Sequence, residues 1–266
     1  MSKNDIILTV CKKGENRMEK RPILLIGALN SELKYLIEML EDSEPETKSI
    51  YKFFKGYIND YPVVIAKSEV GLVNAASCLT LAIENYNPIC IVNAGTAGGI
   101  IENRHKKDII IAEECFNILS SKTPYKELGE GSNSCEWDLM TFTDGGDDEK
   151  RLYKTNRKLV EIALSQKDRY EHGNVYTGVV GSADVWNREK DKLKYLADKH
   201  NVSCEDMELV AICTIADNYK IPVVGIKIMS DNELLGEEYE PAVGQYCQEY
   251  TYEVLKELSL KIDELN

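Results

Sequence analysis

Short, nearly unbroken apolar runs are what most constrain this chain. Ile23-Leu24-Leu25-Ile26 stops at Gly27, and Ile89-Cys90-Ile91-Val92 stops at Asn93. A third run, over 223–228, is broken only by Gly225 and Lys227. A strand that is apolar at every position is buried on both faces, as in a central sheet covered by helices. Segments with helical spacing lie between the runs. After Ile26 the apolar positions Leu33, Leu36, Ile37 and Leu40 form one helix face, with Asn30 or Ser31 as its N-cap.

The same alternation extends along the chain. Tyr57-Ile58 and the run over 63–66 flank Asn59-Asp60-Tyr61-Pro62 and predict a hairpin. Helices are expected over 71–85, 152–165, 190–200, 208–218 and 244–265. Strands are expected over 89–93, 108–112, 175–180 and 223–228. Residues 116–150, poor in apolar side chains, read as a long loop or flap. Residues 1–20 read as a polar tail, with Met18 as an alternative start. The expected fold is a single three-layer α/β/α sandwich over 21–266, around a central mixed, largely parallel sheet.

Charge removes whole classes of function. Lys and Arg number 32 against 45 Asp and Glu, a net charge of −13, and nucleic-acid backbones call for a basic face. No apolar run approaches the roughly 20 residues of a membrane-spanning helix, and no signal-peptide pattern opens the chain. A cytoplasmic protein is expected. The eight cysteines are scattered without a CxxC pair, which fits buried free thiols rather than disulfides or a zinc site. A chain of 266 residues buries roughly 70–75% of its surface and needs neither.

In open α/β sheets ligands bind beyond the carboxyl ends of the strands. Four constellations fall there. Ala94-Gly95-Thr96-Ala97-Gly98-Gly99 reads as a loop in which glycines let backbone approach a ligand and Thr96 offers a hydroxyl. It is neither a dinucleotide fingerprint nor a P-loop. Asp206-Met207-Glu208 precedes an apolar helix, where the macrodipole favours carboxylates. Ser230-Asp231 follows a buried strand, where partial desolvation lets a carboxyl keep its proton and act as a general acid. Glu32 lies just past the first strand's turn. Each carboxylate alone is as well explained by an ordinary structural role; their combination is the signal.

Taken in order, Ile26-Gly27-Ala28 with Glu32, Asn93 to Gly99, Gly181-Ser182-Ala183-Asp184, Asp206-Met207-Glu208 and Ser230-Asp231 resemble the nucleoside phosphorylase and nucleosidase superfamily. Within it the chain is most similar to the 5′-methylthioadenosine/S-adenosylhomocysteine nucleosidases, over about residues 22–262. The resemblance implies a homodimer that needs no metal or organic cofactor and acts on a purine nucleoside. It assigns Asp231 to protonating or hydrogen-bonding purine N7, with Ser230 beside it, and Glu32 to activating water. Glu208, with Met207 against the sugar, would hold the ribose hydroxyls. Thr96 would lie near the ribose, Gly98 would belong to the substrate-binding set, Trp186 would stack on the base and Asn187 would sit at the purine edge. Tyr239 is a candidate cover for the 5′ group. No arginine occurs from Pro22 to Asn103. Arginine forks are the usual phosphate clamp, so hydrolysis is expected over phosphorolysis. A phosphorylase and a non-catalytic nucleoside-binding protein remain the alternatives.

Overall fold

The computed structural model describes residues 20–143, 146–149 and 151–265. The expected tail, with Met18 and Cys11, lies outside them but for its last residue. In chain order the elements are β1 (Ile23–Gly27), α1 (Asn30–Glu38), β2 (Glu41–Lys48), β3 (Tyr51–Ile58), β4 (Tyr61–Lys67), α2 (Leu72–Tyr86), β5 (Cys90–Gly99) and β6 (Ile109–Asn117). Then come β7 (Ser121–Lys122), β8 (Asp138–Thr143), β9 (Gly146–Glu149), β10 (Tyr153–Lys154), α3 (Arg157–Leu164), β11 (Val175–Ser182), α4 (Lys190–His200), β12 (Val202–Asp206), α5 (Leu209–Tyr219), β13 (Val223–Asn232) and α6 (Gly244–Lys261). No described helix is long and apolar enough to cross a membrane.

The main sheet runs β10-β6-β11-β12-β5-β1-β4-β3-β2, and β13 pairs with both β5 and β6. Hydrogen bonding therefore closes a circuit through β5, β13, β6, β11 and β12. The sheet is mixed: β5 pairs parallel with β1 and β13 but antiparallel with β12. One apolar layer packs α1, α3 and α6 on the sheet around Leu33, Leu159 and Val254. The opposite layer packs α2 and α5 around Leu79 and Ile212. A smaller cluster seats α4 against Phe116 and Val202. Every residue of β1 is buried, as its composition demands. Six of the seven described cysteines are buried free thiols.

Several expectations need correction. Ala94 to Gly99 is not a loop: β5 continues through it because β12 and β13 supply ladder partners to a backbone of low strand propensity. Likewise, Ser230-Asp231 lies inside β13 rather than after it. The N-cap of α1 is Leu29, not Asn30 or Ser31, because the Glu32 carboxylate folds back onto the Leu29 amide. In 116–150, β6 extends to Asn117, and β7, β8 and β9 form a small antiparallel sheet. The helix expected from 152 starts at Arg157, where Asn156 caps it, because Tyr153 and Lys154 pair with β6. In the hairpin, Asn59 and Asp60 take the turn at φ 51° and 61° and Tyr61 already belongs to β4, as a two-residue hairpin turn requires.

Beneath the sheet's carboxyl ends lies a fully buried ion pair, Lys227 Nζ to Asp206 Oδ2 at 2.7 Å. Asp206 also accepts from the Leu209 amide at 2.9 Å and from the Ser182 hydroxyl. Burial alone would lower the Lys227 ammonium; Asp206 and Glu208 outweigh it and hold the group above its ordinary range. Removing one partner of such a pair strands the other charge, at a cost of about 3–5 kcal/mol. Lys227→Met is therefore expected to lower the urea midpoint by that equivalent. Adding Asp206→Asn to it should recover part of the loss in the same denaturation experiment.

Candidate active site

A cleft of about 280 Å³ opens where β1, β5, β12 and β13 end. All nine residues singled out in the sequence line it: Glu32, Thr96, Gly98, Trp186, Asn187, Met207, Glu208, Ser230 and Asp231. Tyr239 joins them, its ring edge-on to Trp186 with centroids 5.3 Å apart.

Glu32 is held from both sides. Its Oε2 accepts from the Ala28 and Leu29 amides at 3.2 and 3.1 Å. Oε1 accepts from the Thr96 amide and hydroxyl at 2.8 and 2.9 Å. The first turn of α1 is clamped by buried Gln248 of α6, which accepts from the Tyr35 amide and donates to the Ser31 carbonyl, both at 2.8 Å. A side chain at position 95 would not fit, because a Cβ there would stand 2.9 Å from Glu32 Oε1. The strand glycine thus makes room for the carboxylate.

Asp231 owes its direction to a bulge. Met229 pairs with Ala97 and Asp231 with Gly98, so Ser230 is the extra residue. An unbulged register would turn the following side chain to the other face. The Ser230 hydroxyl lies 2.8 Å from Asp231 Oδ1 and 3.3 Å from the Ala97 carbonyl. Burial pushes the Asp231 carboxyl above its ordinary range, against the pull of Ser230. Across the ladder stands Gly98, where a Cβ would lie 3.4 Å from Asp231 Oδ2.

Glu208 caps the neighbouring helix from a distance, accepting from the Gly71 amide at 3.0 Å. Asp184 accepts from the next amide, Leu72, at 2.8 Å. Gly71 sits between the two carboxylates at φ 101°, and a Cβ there would meet Asp184 Oδ1 at 2.9 Å, so glycine is required. Burial raises the Glu208 carboxyl to about 7, with Asp206 adding to the effect and Lys227 opposing it.

The sequence reading missed Glu205. It lines the cleft, its Oε1 lies 3.3 Å from Asn187 Nδ2, and burial lifts it to about 7. Strand alternation counted back from Met207 places it on the cleft side, but β12 itself had escaped notice. Glu233 also reaches the rim, where Arg188 holds it at 2.6 Å. Six carboxyl side chains line the cleft, and no lysine or arginine does.

The phosphorylase superfamily model matches residues 22–258. The chain belongs to the phosphorylase superfamily. Among curated relatives, the 5′-methylthioadenosine/S-adenosylhomocysteine nucleosidase of Bacillus cereus is 26% identical over 228 residues, covering 85% of this chain and 92% of the relative. The Bacillus anthracis protein of that name matches to the same extent. Two solved nucleosidases of that name share the superfamily fold. The Neisseria meningitidis structure, in complex with methylthio-immucillin-A, superposes with a TM-score of 0.72 at 20% identity, covering 89% of this chain and 99% of that one. The Colwellia psychrerythraea structure, in complex with adenine, gives 0.74 at 21% identity, covering 90% and 96%.

The raised Glu208 carboxyl has a consequence for stability. Between its unfolded value near 4.5 and about 7, the folded protein binds more protons than the unfolded chain. This group's contribution is intact below 4.5 and lost as pH rises through 7. Glu208→Gln should therefore flatten the fall in Tm between those pH values in a calorimetric series; an unaltered slope would contradict the assignment.

Proposed function

We propose that this protein hydrolyses the N-glycosidic bond of an adenine nucleoside such as 5′-methylthioadenosine or S-adenosylhomocysteine, releasing the free base. The reading rests on one arrangement above all. Glu32 and Asp231 face a single cleft whose six carboxyl side chains include no cationic partner for phosphate. The curated relatives bear the name of that activity over most of the chain.

In the proposed reaction the C1′–N9 bond breaks and its electron pair passes to the purine. Asp231, whose burial strengthens its hold on a proton, donates to N7 and so makes the base a better leaving group. The ribose passes through an oxocarbenium-like state, as in other glycoside hydrolyses. Glu32 takes a proton from water as the water oxygen bonds to C1′. Glu208 accepts hydrogen bonds from the ribose hydroxyls, with Met207 against the sugar. Trp186, 60% exposed, stacks on the base, and Tyr239 beside it covers the 5′ substituent. Thr96, fixed by its contacts to Glu32, borders the sugar, and Gly98 leaves the base room beside Asp231.

A phosphate nucleophile would approach Glu32, Glu208 and Asp231 with no arginine or lysine among the lining residues. Water carries no such charge conflict. We assign residues 21–266 to one nucleosidase domain, and propose a cytoplasmic homodimer in which exposed Val70 and Val73, near the mouth, face the second copy.

Incubation with 5′-methylthioadenosine should release adenine equally fast with and without phosphate, read by chromatography. Asp231→Asn and Glu32→Gln should each lower kcat by about 10²–10⁴-fold, the usual worth of a general acid or base. Ribose-1-phosphate formed only with phosphate would establish the phosphorylase instead.

A further inference from the structure

Glu205 has no part in the bond-breaking scheme, yet it forms one wall of the cleft. In the sheet, Glu205 of β12 is paired with Gly98 of β5, and Gly98 is paired on its other side with Asp231 of β13. The two carboxyls thus flank a residue without a side chain. With strands spaced about 4.8 Å apart their backbones stand about 10 Å from each other. That separation suits a planar bicyclic base lying over Gly98 with a hydrogen-bonding group at each end. Building on the proposed nucleosidase reading, with Asp231 at N7 on the five-membered ring, Glu205 falls at the six-membered ring.

We infer that Glu205 is a specificity-determining residue whose neutral carboxyl donates a hydrogen bond to a ring nitrogen on the six-membered ring of adenine. Its surroundings favour that form. Among the described residues no ion pair reaches it; its side-chain partner is the Asn187 amide. Lys192 of α4 pulls its titration down, but that ammonium donates to the Ser134 carbonyl at 2.7 Å and lies over the Trp137 and Tyr195 rings. Asp231 pushes the other way, and burial leaves Glu205 near 7. A bound base would strip away further water. An ionised carboxylate facing an unprotonated ring nitrogen would then place acceptor against acceptor, a penalty the acid form removes. Above its free titration point Glu205 takes one proton from solvent as the base binds and keeps it.

Adenine, 1-deazaadenine and 3-deazaadenine, titrated calorimetrically into the wild type, E205Q and E205L, test this. The wild type is expected to bind one deaza analogue about tenfold more weakly than adenine, the worth of one hydrogen bond. E205L should bind adenine about tenfold more weakly and lose that discrimination. E205Q, whose amide still donates, should retain most of the affinity. At pH 8, runs in buffers of different ionisation enthalpy should show greater proton uptake for the wild type than for either variant. Adenine bound equally by E205L, discrimination persisting in E205L, or equal proton uptake would each overturn the assignment. Base binding with this pattern but no release of adenine from nucleosides would overturn the hydrolase and leave Glu205 standing. Hydrolysis without any Glu205 effect would do the reverse.

Discussion

The Asp206 carboxylate is the joint on which the site depends. It accepts from Ser182 at the end of β11, from Lys227 in β13 and from the first turn of α5, while itself ending β12. Three strands and a helix are thereby fixed at one buried point. Glu208 lies two residues beyond it, and Asp231 four beyond Lys227. Any slippage at this joint would move the proposed sugar-binding carboxylate relative to the proposed acid. Lys227 also supplies a fully buried positive charge beneath these carboxyls, acting on Glu32 and Glu208 as well as Asp206. Burial outweighs Lys227 at Glu208 and Lys192 at Glu205, so both carboxyls rise to about 7. The cleft thereby gains groups that hold protons near neutrality.

Where hydrophobic pattern dominates, the fold was legible. The all-apolar β1 and the 190–200 helix were found at or within a residue of their bounds. What failed were segments whose neighbours, rather than their own residues, make them strands. β2 is Glu-Asp-Ser-Glu-Pro-Glu-Thr-Lys, exposed along most of its length and, among the described residues, paired only with β3. Charge and proline are what an edge strand carries to discourage further pairing, so its sequence resembles a loop. β12 is five residues long and follows α4 at once, too short for alternation to register. Short polar motifs interrupting the apolar runs pointed to Glu32, Thr96, Glu208, Ser230 and Asp231, the family resemblance added Trp186, Asn187 and the role of Met207, and these residues with Gly98 line one cleft. Glu205 was not legible, since one acidic residue in an unseen strand has no pattern of its own.

The glycines of β5 connect these two points. A strand containing Gly95, Gly98 and Gly99 has little propensity of its own, and its order comes from β12 and β13 on either side. In return it offers a surface without side chains. A Cβ at 95 would crowd the Glu32 carboxylate at 2.9 Å, whereas one at 98 would only touch Asp231 at 3.4 Å. The same absence of bulk that hid the strand from propensity lets carboxyls from α1, β12 and β13 converge on one cleft. Convergence also dictates what can enter. Anions meet repulsion, and a neutral base with hydrogen-bonding edges does not. For the sugar carbon exposed in the proposed reaction, water is the nucleophile such a wall would admit, and Glu32, with donors on both its oxygens, is the proposed acceptor of its proton.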